Sequence, residues 1–210
     1  MKIMFQGDSI TDCGRNTDNG SLLSIGQGYA LIASSYLSAK YPGKYEFVNR
    51  GVSGSRIVDV YARIKGDGWN DNPELLSLLI GINDVWHELA WRNGVNARRF
   101  RNVYRMLISD TLIESPGTKF LIMEPFILKG SATAEKWDSF RKMADENAAI
   151  AREVAEEYGQ VFLPLQHLFD EACEKAPPEY WMGDGVHPTI AGHRLMADAW
   201  LKCFEENFMD

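Results

Sequence analysis

Cysteine is scarce in this chain of 210 residues: there are three, an odd number, at the widely separated positions Cys13, Cys173 and Cys203. That spacing excludes a disulfide framework and any Cys-x-x-Cys metal or redox motif, and it leaves free thiols. Long apolar runs are missing too, and nothing approaches the roughly 20 residues that cross a bilayer. Positive charge is in deficit, with 22 Lys and Arg against 29 Asp and Glu and a formal net charge of −7. Binding to nucleic acid or an anionic membrane draws on clustered cations, and the short cluster Arg98-Arg99-Phe100-Arg101 reads instead as a solvated helix face. No His-Glu-x-x-His or similar ligand cluster is present, so no metal site is expected. Internal repeats, low-complexity tracts and Pro/Gly/Ser-rich linkers are also lacking, which predicts one domain spanning residues 1–210. The start, Met1 to Gly7, holds too few apolar residues for a signal-peptide core, and a cytoplasmic protein is expected.

What the chain does contain is an alternation of short apolar runs with longer helical patterns. Ile3 to Phe5, Tyr45 to Val48, Leu75 to Ile80, Phe120 to Met123 and Val161 to Leu163 are continuous in their apolarity, as strands buried on both faces of a parallel sheet should be. Between them, Tyr29, Ile32, Ala33, Tyr36 and Leu37 recur at helical spacing, as do Val103, Met106, Leu107 and Leu112. Ala134 to Tyr158, a stretch around Leu165 to Cys173, and Ile190 to Phe204 complete the helical pattern. Five strand candidates separated by helices predict a doubly wound, three-layer α/β/α fold with about five parallel strands.

In such sheets ligands bind beyond the carboxyl ends of the strands. The polar signals fall there: Gly7-Asp8-Ser9 after the first strand, Asn49 to Gly54 after the second, Gly81-Ile82-Asn83-Asp84 after the third, and Gly183 to Pro188 at a distance after the fifth. Ser9 stands just past the break of an apolar strand, a position suited to a nucleophile. A serine hydroxyl needs a base and an orienting carboxylate, and Asp184 precedes His187 by the three residues that let one loop aim a carboxylate at an imidazole. Acyl transfer also needs donors for the developing oxyanion. The backbone N–H groups of Ser9 and Gly54 and the side-chain amide of Asn83 are the candidates, Gly54 having no Cβ to obstruct a ligand.

Competing readings of these residues are bland ones. A serine after Gly-Asp is commonly a turn or cap residue, and Asp184-Gly185 is a turn signal; it is their company that favours catalysis. His87, His167 and His193 compete for the base role, but neither His167 nor His193 has an aspartate three residues before it, and His193 falls within the final helix. Gly51-Val52-Ser53-Gly54-Ser55 nearly mimics a Gly-x-Ser-x-Gly nucleophile elbow, and fails at Ser55. Asp8, Arg15, Trp86, Phe126 and Trp181 are the candidates for substrate contact. For Asp8 the alternative is a loop hydrogen bond, for Arg15 a pairing with a nearby carboxylate, and for the aromatic residues core packing.

The blocks Gly7-Asp8-Ser9-Ile10, Gly54 within Asn49 to Gly54, Gly81-Ile82-Asn83-Asp84 and Asp184-Gly185-Val186-His187-Pro188 resemble, in order, the four sequence blocks of the GDSL/SGNH hydrolases. The resemblance covers nearly the whole chain, with Ile10 in place of the family's leucine. It implies a flavodoxin-like sheet, a Ser-His-Asp hydrolase without metal or cofactor, and the three-donor oxyanion hole. The longer stretches Gly7 to Arg15 and Gly81 to Trp86 further resemble the bacterial acetyl xylan esterase branch, whose members deacetylate xylo-oligosaccharides inside the cell and tend to be homo-oligomers. The expected function is therefore a serine esterase acting on small O-acyl esters, foremost acetylated xylo-oligosaccharides or related sugars. The alternatives are a broad short-chain carboxylesterase, lysophospholipase or thioesterase on the same residues, and a noncatalytic carbohydrate-binding protein.

Overall fold

In a computed structural model, which describes residues 1–17, 21 and 23–209, five strands form one sheet in the order β2-β1-β3-β4-β5. They are β1 (Lys2–Gly7), β2 (Glu46–Asn49), β3 (Leu75–Leu79), β4 (Lys119–Met123) and β5 (Val161–Leu163), and every pairing is parallel. Because the strand order reverses at β1, the crevice where connections diverge lies between β1 and β3.

Side chains alternate between the two faces of the sheet, so each strand feeds two cores. Ile3, Phe5, Leu75, Leu79, Leu121 and Met123 belong to one. That core is closed by α2 (Tyr29–Lys40) and α9 (Ile190–Phe208), with Trp200 and Phe204 stacked at 5.0 Å. Leu76, Leu78, Ile80, Phe120 and Ile122 belong to the other, covered by α3 (Ile57–Asp67), α5 (Ala97–Glu114) and α6 (Trp137–Glu157). The three-layer arrangement expected from the unbroken apolar strands is the observed one. Among the described residues, no helix is long and apolar enough to cross a membrane.

Several elements lay beyond the apolar pattern. Ser9–Asp12 forms the single turn α1, and Ile82–Trp91 forms α4, so Asn83 stands in the first turn of a helix rather than in a loop. Helix α3 likewise has no counterpart in the helical pattern of the sequence. After α7 (Gln166–Ala172), the chain makes the short helix α8 (Pro178–Trp181), opened by a proline at its first position. It then bends back through a Met182–Pro188 bridge into α9, which Thr189 caps by accepting the Gly192 N–H. This bend returns residues 183–189 to the sheet edge where β1 ends.

Candidate active site

Ser9 is held at the start of α1, immediately beyond β1. Asp8 caps this turn, its carboxylate accepting the Ile10 N–H at 3.0 Å, and the Ser9 carbonyl accepts the Cys13 N–H at 2.9 Å. The Ser9 N–H, at the first helical position, is one of the donors that a helix leaves without an internal acceptor.

Asp184 organises its own loop. One carboxylate oxygen accepts the backbone N–H groups of Val186 at 2.8 Å and His187 at 2.7 Å; the other lies 2.7 Å from His187 Nδ1. Burial works to raise the Asp184 carboxyl pKa, but the His187 backbone and ring bonds and the Val186 N–H outweigh it and hold the group below its ordinary value. An ionised carboxylate only accepts, so the hydrogen shared with the ring sits on Nδ1. The lone pair of Nε2 is left facing Ser9 Oγ, 2.9 Å away. The loop is braced from outside: Ala132 N–H donates to the Asp184 carbonyl and Leu128 N–H to the Gly185 carbonyl, both at 2.9 Å. Contact is so close that a Cβ on Gly130 would collide with the Asp184 backbone. No composition or spacing signal marks residues 128–133 as a support for the histidine loop.

The segment after β2 packs against α1, and the start of α4 reaches that segment. The Asn83 amide donates to the Ser55 carbonyl at 3.2 Å, leaving its second N–H to offer elsewhere. Asp12 accepts both the backbone N–H and the hydroxyl of Ser53, at 3.1 and 2.6 Å. Gly54 has φ +80°, while a Cβ there would meet no protein atom within 4 Å. Its need for glycine is thus conformational and not a matter of crowding. Among the described residues, the Gly54 N–H has no protein acceptor.

Asp84, unmarked by the sequence beyond its block, ties these pieces together. Its two oxygens lie 3.1 and 3.2 Å from the Ile57 N–H at the start of α3, so it links α4 to the helix that follows the Gly54 loop. Burial pushes its carboxyl up to about 8, against the opposing hydrogen bond from Ile57. Asp8 is likewise pushed by burial up to about 7. Among the described residues, no three His, Cys, Asp or Glu side chains cluster as metal ligands.

The candidates for substrate contact are placed very differently. The Trp86 ring centroid lies 5.9 Å from that of His187, and its indole is only partly buried. Phe126 is 1 % exposed and stacks on Phe169 at 4.4 Å, which makes it a core residue and removes it from the substrate candidates. Asp8 is fully buried as the α1 cap and is removed for the same reason. Arg15 donates from Nε to the Gly51 carbonyl at 2.6 Å and lies 3.9 Å from Asp12, so it braces the two loops. Trp181 donates its indole N–H to the Ala176 carbonyl at 3.2 Å and meets Tyr180 edge-on. His193 is occupied otherwise: Nδ1 accepts the Tyr29 N–H at 3.1 Å, which puts its hydrogen on Nε2, 3.3 Å from Cys13 Sγ. Burial lowers its pKa to about 4.

Comparison with known proteins gives concordant relatives. A model of the GDSL-like lipase/acylhydrolase family matches residues 5–195. An acetylxylan esterase from Geobacillus stearothermophilus is 32% identical over 206 residues, covering 96% of this chain and 92% of that protein. The crystal structure of that esterase superposes with a TM-score of 0.87, covering 99% of this chain and 94% of the other. A Parabacteroides merdae structure described as a GDSL-like lipase gives a TM-score of 0.91 at 36% identity, with 96% of this chain and 94% of that one covered.

Proposed function

Because the chain belongs to the GDSL-like lipase/acylhydrolase family, we propose that it is a serine esterase that removes acetyl groups from xylo-oligosaccharides or related acetylated sugars. The observation that carries this reading is the unbroken line from Asp184 through His187 Nδ1, at 2.7 Å, and Nε2 to Ser9 Oγ, at 2.9 Å. The name of the Geobacillus relative supports the choice of acetylated sugar.

Ser9 Oγ attacks the acetyl carbonyl while its proton passes to His187 Nε2. The carbonyl π electrons move to oxygen, where the Ser9 and Gly54 N–H groups and the second N–H of Asn83 serve in this reading as the donors that stabilise the charge. Collapse of the tetrahedral intermediate breaks the bond to the sugar oxygen, which takes the proton from Nε2 and leaves as an alcohol. Water then attacks the acetyl-Ser9 carbonyl, giving a proton to Nε2; collapse returns that proton to Ser9 Oγ and releases acetic acid, which ionises to acetate in solution. Asp184 holds the imidazole orientation throughout and stabilises its cationic form.

The test is a serine-directed fluorophosphonate with a substrate panel. Stoichiometric labelling of wild type but not Ser9→Ala is expected, together with a preference for acetylated xylo-oligosaccharide over butyrate esters and acyl-CoA. A preference for longer acyl chains or thioesters rejects the sugar-acetate assignment. Sugar binding without labelling rejects catalysis in favour of a lectin-like role.

A further inference from the structure

Trp86, whose ring approaches that of His187, also lines a cleft of about 210 Å³ that none of the proposed chemistry uses. One wall is the outer part of α4, carrying Trp86 and Leu89; the other is the chain from Ala132 to Glu135 and Lys136, with Phe140 beneath. Lys136 Nζ spans the walls by donating to the Leu89 carbonyl at 2.6 Å. Both walls are coupled to the catalytic candidates. The Trp86 ring approaches the His187 ring, and Ala132 donates to the carbonyl of Asp184. A second hollow of about 410 Å³ shares Glu135 and Lys136 with the first and reaches Trp137 and Asp138. Glu135 is exposed between the two, and among the described residues its carboxylate has no partner.

Resting on the esterase reading above, we propose that this cleft binds the sugar unit next to the one being deacetylated, so that the enzyme selects oligosaccharides over acetylated monosaccharides. The chemistry of the lining fits an uncharged ring with one apolar face and a hydroxyl edge. The Trp86 indole offers the flat apolar surface, and the Glu135 carboxylate offers an acceptor to hydroxyl groups at the rim. Trp86 lines the cleft while its ring centroid lies 5.9 Å from that of His187, and this shared residue is the ground for setting a bound ring beside the reacting sugar and not in its place. Two successive hollows sharing Glu135 and Lys136 suit a chain-shaped ligand better than a compact one.

Two variants test this: Glu135→Ala, which removes the acceptor, and Ala90→Phe, which fills the cleft from an exposed position on α4. The kinetic readout is the ratio of kcat/KM for acetylated xylotriose to that for an aryl acetate. It should fall at least fivefold in each variant, and wild type should prefer acetylated xylotriose to acetylated methyl xyloside. The binding readout is calorimetric titration of unacetylated xylotriose into Ser9→Ala, where adding either cleft substitution should raise Kd at least fivefold. Ratios and Kd values within twofold of the parent in both variants overturn the cleft assignment, while aryl acetate hydrolysis leaves the esterase reading standing. Absent hydrolysis and absent fluorophosphonate labelling would instead defeat the esterase reading, and the xylotriose titration would still decide the cleft.

Discussion

Replacing Asp184 by asparagine changes no volume, yet the geometry around it foretells a large loss of rate. The carboxylate accepts three N–H groups, two from the backbone on one oxygen and one from the His187 ring on the other. An amide has one acceptor and one donor group, so it cannot serve all three. If its oxygen keeps the Val186 and His187 backbone donors, the NH₂ faces Nδ1, and the ring must carry its hydrogen on Nε2. That tautomer offers Ser9 no base. Flipping the amide restores the tautomer but sets the NH₂ against two backbone donors, each costing about 1–3 kcal/mol if left unsatisfied. The first arrangement therefore wins by roughly 2–6 kcal/mol, toward the lower end because the Asp184 side chain is 30 % exposed and water offsets part of the cost. Loss of the negative charge that stabilises the imidazolium adds to this, and the same exchange in a Ser-His-Asp protease lowers kcat by roughly 10⁴. A fall of that order in aryl acetate kcat at pH 7, about 5 kcal/mol in barrier, is expected for Asp184→Asn. Nitrogen NMR of the ring should show the hydrogen moved to Nε2. A kcat within tenfold of wild type would refute the assigned role of the carboxylate.

Asn83→Ala removes one proposed oxyanion donor and should lower kcat by about 10²–10³ with a smaller change in KM, measured on the same aryl acetate. Asp84 is expected to make stability pH-dependent: with its folded pKa near 8 against an ordinary 3.8, the native protein keeps a proton that the unfolded chain releases. Its contribution is complete below the ordinary value and is lost as pH rises toward 8, so Asp84→Asn should gain on wild type in urea denaturation from pH 4 to pH 8. Parallel stability curves for the two proteins would refute that ionisation. Phe126→Ala opens a cavity against Phe169 and should cost about 3–5 kcal/mol of unfolding free energy, read from the urea midpoint and slope. A stable variant with weakened substrate binding would return Phe126 to the substrate site.

The strands were legible because both faces of the sheet are buried, which makes Leu75 to Ile80 and Phe120 to Met123 continuous apolar runs. Helices α3 and α4 were less so. Their apolar stripes are short, and the polar block Gly81 to Asp84 hides the first turn of α4 inside what reads as a loop. Phe126 and Trp86 show the same limit from another side. Each is an aromatic residue near a polar block, and nothing in the chain distinguishes the ring stacked on Phe169 from the ring turned toward His187.

Sequence by itself determined the layer order and the residue types from which a nucleophile, base and carboxylate could be drawn, because periodic burial and local spacing are properties of neighbouring residues. Only tertiary structure brought Ser9 within 2.9 Å of His187, across 178 positions of chain. It also set residues 128–133 against the Asp184 loop, made Asp84 the link between α4 and α3, and opened the cleft beyond Trp86. Those contacts join segments remote in sequence, where packing and hydrogen-bond satisfaction decide which groups meet.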